Sequence, residues 1–307
     1  MKFQFSFILC LFFIYGLAQE QNYSSEDLTI TDLIDGTLLT PNGVSKPNLG
    51  ILIAGSGPTD RNGNQNFLKN NVLKKLAEDL TKDGTATFRY DKRIVKQIKT
   101  NKIDNTVSFD DFVNDAIEVI KYFKSTNQYN HIFIIGHSQG SLVGMLAAKD
   151  YADGFISIAG AGRSIDLVIM DQLQTNAPIY YEDAKRIFEV LKSGQTTTDY
   201  PPELKSIFNI EVQPFIASWM KYNPTEVIKG LNMPVLIING TNDLQVMPKE
   251  AELLHEAAPN STLKIIDNMN HVLVPINGDH IENAKSYNES ARPIAPELLT
   301  TIEAFIK

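Results

Sequence analysis

Residues 131–141 read His131-Ile132-Phe133-Ile134-Ile135-Gly136-His137-Ser138-Gln139-Gly140-Ser141, and the fold class turns on how this stretch changes character halfway. Residues 131–135 form a short apolar run that reads as a buried strand. Residues 142–148 are a uniformly apolar stretch that reads as a helix. Between them sits Gly136-His137-Ser138-Gln139-Gly140, a Gly-x-Ser-x-Gly turn joining strand to helix. A turn this tight leaves no room for Cβ atoms beside the serine, which explains the two glycines. The helix that follows aims backbone N–H groups and a positive dipole end at the serine. Ser138 is therefore a candidate nucleophile.

Working outward, the same strand-then-helix beat recurs. Residues 49–54 are an apolar run ending in Gly55-Ser56-Gly57-Pro58. Residues 68–80 place Leu73, Leu76, Ala77 and Leu80 at helical spacing, with Gly84 as the stop. A strand is expected at 85–89 and a helix at 109–123. Downstream, strands are expected at 155–159, 235–238 and 262–266, and helices at 249–257 and 297–306. Short buried strands alternating with amphipathic helices imply a mostly parallel, twisted sheet with helices on both faces. The beat breaks at about 163–228, which holds several helical stretches and the aromatics Tyr180, Tyr181, Phe188, Phe208, Phe215 and Trp219. Residues 28–40 alternate in polarity and read as an antiparallel hairpin at the start of the sheet. The polar residues 19–27 read as a tether.

A serine hydroxyl needs a base to take its proton. Of five histidines, His131 begins a strand, His137 lies in the turn pointing away from Ser138, and His255 is within a helix. His271 follows the strand 262–266 by four residues, at the sheet end where such loops gather. His280 lies farther along the same loop and is the second choice. The base needs a carboxylate partner. Asp243, in Gly240-Thr241-Asn242-Asp243 directly after the strand 235–238, is so placed. Asp267 is the rival, but it leaves the same strand as His271 and lies too near it for good geometry. A developing oxyanion needs two donors: the backbone N–H of Gln139, and the backbone N–H of Ser56 in the loop after the strand 49–54.

Taken together, Gly55 to Asn64, Tyr90-Asp91-Lys92-Arg93, Gly136 to Gly140, Gly240 to Asp243 and Asn270-His271 resemble the α/β-hydrolase superfamily. More narrowly, they are similar to its bacterial esterase, lysophospholipase-like or serine aminopeptidase-like branch. The chain order Ser138, Asp243, His271 is that superfamily's order. The likeness runs over about residues 28–307, and it implies that 163–228 is a helical cap inserted into a hydrolase domain. Two positions depart: Ala54 stands where many relatives have His, and Ile94 where glycine often follows Lys-Arg or Asp-Arg. The resemblance implies a serine hydrolase working through an acyl-enzyme on Ser138, without metal or cofactor, but is a poor guide to substrate. Because ester alcohols leave easily, carboxylic esters of small or medium size are the expected substrates. Two other readings stay open. One is an aminopeptidase or amidase on the same three residues, with Glu182, Asp183, Glu203 or Glu211 gripping a free amine. The other is a binding protein on a hydrolase scaffold.

Composition narrows the partners. At 307 residues, 43% hydrophobic and 21% charged, the chain is an ordinary folded globule. A net charge of −8 without a basic run argues against nucleic acid and leaves a small-molecule ester as the expected partner. Asp60, Asn62 and Asn64 imitate the start of a calcium loop, but Gln65 and Asn71 stand where Gly and Glu are needed. Lys2, an apolar run at 7–17, and the small residues Gly16 and Ala18 read as a secretory signal peptide over 1–18. Cleavage after Ala18 would remove Cys10, the single cysteine, and leave a secreted or periplasmic domain over 19–307 with no stable membrane insertion.

Overall fold

The computed structural model describes residues 22–307, so the signal peptide expected at 1–18 lies outside them. Eight strands form one sheet: β1 (Tyr23–Thr31), β2 (Ile34–Pro41), β3 (Leu49–Ile53), β4 (Ala86–Tyr90), β5 (Ile132–His137), β6 (Gly154–Ile158), β7 (Val235–Gly240) and β8 (Thr262–Ile266). Their order is β1-β2-β4-β3-β5-β6-β7-β8. From β4 to β8 every pairing is parallel, whereas β1 with β2 and β2 with β4 are antiparallel. The helices between them are α1 (Val72–Lys82), α2 (Arg93–Lys99), α3 (Phe109–Thr126) and α4 (Gln139–Ala148). After β6 come α5 (Ile165–Asn176), α6 (Tyr181–Lys192), α7 (Lys205–Phe208), α8 (Gln213–Trp219) and α9 (Pro224–Ile228). The chain closes with α10 (Pro248–Ala257), α11 (His280–Ser286) and α12 (Pro296–Ile306).

Strands β3 to β7 are buried along their whole length, so their apolar runs are covered on both sides. One core packs Phe109, Ile120, Met145 and Leu254, from α3, α4 and α10, against Ile51, Phe88 and Ile134. On the other face Leu73, Leu76 and Leu80 of α1 and Leu298 and Ile302 of α12 cover Leu52, Ile135 and Ile156. The stretch α5 to α8 has a third core of its own, built on Ile187, Phe188, Leu191, Phe208 and Ile216. This is the architecture expected from the alternating beat, with antiparallel strands at one edge.

Three local expectations need correction. Residues 23–27 are no tether: they form the first half of β1, paired with Thr37 to Pro41. Their polarity misleads because β1 is an edge strand held by its backbone ladder, with most side chains in water. Helix α1 starts at Val72, not 68, because Asn71 takes a left-handed conformation and its side chain binds that of Asn64. The short helices α2 and α11 fall where loops were expected. Among the described residues no helix is long and apolar enough to cross a membrane.

Candidate active site

Ser138 joins β5 to α4 with φ 54° and ψ −122°, a strained conformation for a residue with a side chain. Its amide is bound to Ile158 O (2.9 Å) and its carbonyl takes the Ser141 amide (2.9 Å), so the turn is held on both sides. The two glycines are obligatory. A Cβ on Gly136 would stand 2.3 Å from Gly140 O, and one on Gly140 would stand 2.2 Å from Ile53 O. The hydroxyl of Ser138 is thereby left at the carboxyl end of the sheet, with no hydrogen-bond partner among the described residues.

Asp243 and His271 reach the same end from β7 and β8. Their loops can meet because Gly240 has no side chain: a Cβ there would lie 2.0 Å from Met269 O. The Asp243 carboxylate is buried. Its Oδ2 binds His271 Nδ1 at 2.8 Å, and its Oδ1 accepts the amides of Gln245 (2.8 Å) and Val246 (2.9 Å). A carboxylate at Nδ1 keeps the proton there and leaves Nε2 as the basic nitrogen. Ser138 and His271 line one small cavity of about 80 Å³, together with Gly55, Ser56, His137 and Tyr287. Their direct hydrogen bond is not formed here, as is common before substrate arrives. His280 opens α11 and is exposed, and Asp267 is likewise exposed after β8; neither joins the group.

The expected donors sit as the loops require. Gln139 is the first residue of α4, where an amide has no intrahelical acceptor. Gly55 packs close to Ser138, since a Cβ on it would lie 3.2 Å from Ser138 Cβ. Among the described residues no acceptor takes the amides of Ser56 or Gln139. The carbonyl of Ser56 accepts from Thr59 Oγ1 (2.7 Å) and Gln65 Nε2 (2.9 Å), which braces that loop.

Several contributors escaped sequence reasoning. His137 points away from the serine, as expected, but its Nε2 donates to the backbone carbonyl of His271 at 2.8 Å. Burial, reinforced by the neighbouring His271, pushes His137 down to about 4, so the ring is neutral at pH 7. Asn270 accepts the amides of Val272 and Val274 and donates to Asn283 Oδ1 and Ser286 Oγ, both at 2.8 Å. Asn283 in turn donates to Asn242 O (2.9 Å), tying α11 to the Asp243 loop. Lys92, 5% exposed, places its ammonium between Gly55 O (3.0 Å) and Gln139 Oε1 (2.7 Å), and burial pushes it down to about 7. Asn270, beside His271, and Lys92, in Tyr90-Asp91-Lys92-Arg93, were marked in the sequence, but not for these contacts.

Ser138 and Gln139 also open onto a cavity of about 590 Å³, walled by Ile94, Phe112, Leu142, Val168, Phe215 and Trp219 among others. That volume suits a small organic ligand. Its walls come partly from the core domain and partly from α5 to α9. Among the described residues no group of three or more His, Cys, Asp or Glu side chains is arranged to hold a metal ion.

Comparison with known proteins bears on the fold and the esterase-like branch. Residues 69–192 match the family model described as serine aminopeptidase, S33. Over 262 residues the chain is 28% identical to Esterase EstD of Thermotoga maritima, covering 83% of this chain and 61% of that protein. The chain thus spans about three-fifths of the length of the curated relative it matches. Among solved structures it is similar to Est1E from Butyrivibrio proteoclasticus (TM-score 0.57, 18% identity, 92% of this chain and 98% of that one). It is also similar to the esterase PF2001 of Pyrococcus furiosus (TM-score 0.56, 16% identity, 94% of this chain and 90% of that one).

Proposed function

We propose, from the premise that this chain is an α/β-hydrolase similar to the esterase branch, that it is a serine hydrolase of carboxylic esters with small or medium acyl groups. Ser138 attacks the ester carbonyl while Nε2 of His271 takes its proton. Asp243 holds the imidazole and supports its positive form. The amides of Ser56 and Gln139 receive the oxyanion. The alcohol leaves with the proton from His271, and water activated by the same imidazole then releases the acid. The observation that carries the reading is the buried Asp243–His271 bond at 2.8 Å beside a cavity that Ser138 shares.

The apolar walls of the larger cavity support an acyl chain over a charged group. An aminopeptidase would need a carboxylate to grip its substrate's ammonium. Of Glu182, Asp183, Glu203 and Glu211, only Glu211 lines the cavity, and it is exposed. The export reading rests on Lys2, the apolar run at 7–17 and the small residues Gly16 and Ala18, and amino-terminal sequencing of the exported product would test it.

The decisive experiment pairs p-nitrophenyl esters with aminoacyl p-nitroanilides on the wild type and Ser138→Ala. Ester turnover should exceed anilide turnover, and Ser138→Ala should lose several orders of magnitude in kcat with folding intact. It should also lose labelling by a fluorophosphonate. An unlabelled wild type without turnover of either substrate would favour the binding-protein reading instead.

A further inference from the structure

Lys92 is a buried amine, pushed by burial down to about 7 and without a carboxylate partner among the described residues, in the wall of the cavity that Ser138 opens onto. Burial of an ammonium costs free energy that only good partners offset. Its partners here are all neutral: Gly55 O, Gln139 Oε1, and the face of the Phe112 ring 4.4 Å from Nζ. An ammonium has three hydrogens, and these three neighbours use them. None is left for a substrate, so the residue's function has to be sought in what it holds.

What it holds is specific. The carbonyl of Gly55 and the amide of Ser56 belong to one planar peptide unit, and in a trans peptide they point in opposite directions. Fixing one fixes the other. The second partner is the side chain of the residue whose main-chain amide is the other expected donor. Lys92 therefore grips both donors from behind. Its neighbour keeps it there: the Arg93 guanidinium forks onto Asp115 with two bonds of 2.8 Å and reaches Asp111 at 2.8 Å. That clamp fixes α2 on α3, the helix that supplies Phe112.

We propose that Lys92 is the positioning residue of the oxyanion hole, orienting the Ser56 amide through Gly55 O and Gln139 through its side chain. The proposal rests on the esterase reading. In its charged form Lys92 also polarises the Gly55–Ser56 peptide, so its N–H donates more strongly as charge develops on the substrate oxygen.

The test uses the full chain and the variants Lys92→Met, Lys92→Gln and Lys92→Arg, with Ser138→Ala as control. Three readouts are needed: kcat and KM on p-nitrophenyl butyrate, inhibition by an alkyl trifluoromethyl ketone, and the rate of fluorophosphonate labelling. Lys92→Met should lower kcat about 10- to 100-fold, a fraction of the loss on deleting an oxyanion donor, with KM changing less than about threefold. The ketone, which becomes an oxyanion on the serine, should bind weaker by the same factor as kcat/KM falls. Labelling should slow in parallel, and Lys92→Arg should recover part of the rate. Lys92→Met removes a buried amine but leaves Gly55 O and Gln139 Oε1 without their donor, so its thermal midpoint is measured alongside to confirm that the kinetic loss is read on folded enzyme. Should it fold poorly, Lys92→Gln is read by the same measures.

A kcat within twofold of wild type, or a loss confined to KM, would overturn the proposal while leaving the esterase reading in place. Activity and labelling that survive in Ser138→Ala would instead remove the nucleophile, and with it both.

Discussion

The two halves of the site are built on opposite principles. At the sheet end, Asp243, His271, His137, Asn270, Asn283, Gln139 and Lys92 are buried polar groups in closed hydrogen-bond sets, brought together by close backbone approaches at Gly140 and Gly240. The wall supplied by α5 to α8 is apolar, with its own core. Its polar ties to the rest are few: Ser218 Oγ on α8 accepts the Phe109 amide (2.8 Å), Gln172 Nε2 on α5 donates to Gln245 O (2.8 Å), and Arg163, just before α5, pairs with Glu250. Buried polar sets fail when one partner changes, because a desolvated group is left unpaired. Apolar walls tolerate substitution as long as volume is kept. The chemistry should therefore be brittle and the acyl preference plastic.

The hardest test of brittleness is Asp243→Asn. The amide oxygen can still accept from the amides of Gln245 and Val246, so the loop has reason to hold. The NH₂ group, however, faces Nδ1 of His271 and forces the proton onto Nε2, where no base remains. A fall in kcat of about 10³- to 10⁴-fold is expected. The midpoint of thermal unfolding should move by only a few degrees. A kcat within tenfold of wild type would mean that another carboxylate serves His271.

His137 tests the same region through stability. Its folded value, pushed by burial to about 4, lies below the ordinary histidine value near 6.5. The unfolded chain then binds more protons between those limits, so stability is full above about pH 6.5 and declines as pH falls toward 4. The contribution is about 3 kcal/mol across that window. His137→Gln keeps a donor for the carbonyl of His271 but has nothing to titrate. Urea midpoints at pH 7 and pH 4 should show a shallower acid loss in this variant by about that amount. Carboxylates titrate in both proteins and cancel in the difference. Equal slopes would mean that His137 is not held neutral.

Legibility in the sequence followed the same division between local pattern and distant contact. The strand order of events, the Ser138 turn, and the placement of Asp243 and His271 at strand ends were readable, because each is announced by neighbours within a few residues. The supporting set was not. Asn270 meets Asn283 across 13 residues, and His137 meets the carbonyl of His271 across 134. Lys92 looked like one charge in a charged tetrapeptide, since nothing local says that its head turns inward. The first half of β1, residues 23–27, failed for a different reason: that polar edge segment is defined by its partner β2, not by its own periodicity. Helix α11 was within reach, because Asp279 caps it by accepting the amides of Ile281 and Glu282.

The smallest expected effect tests the plastic side. Val168 on α5 lines the large cavity, and it contributes no polar contact there. Val168→Phe should fill part of the roughly 590 Å³ without touching Ser138, Asp243 or His271. Esters too short to reach the wall, such as p-nitrophenyl acetate, should keep kcat/KM within about twofold. For p-nitrophenyl decanoate the same ratio should fall about tenfold, the worth of one or two displaced methylenes in an apolar pocket. If both esters lost activity equally, the wall would be coupled to the catalytic end after all, and the division between brittle chemistry and plastic binding would have to be abandoned. If the decanoate alone were affected, α5 to α9 would set chain length, and a graded series at Val168 would map how deep the acyl group runs.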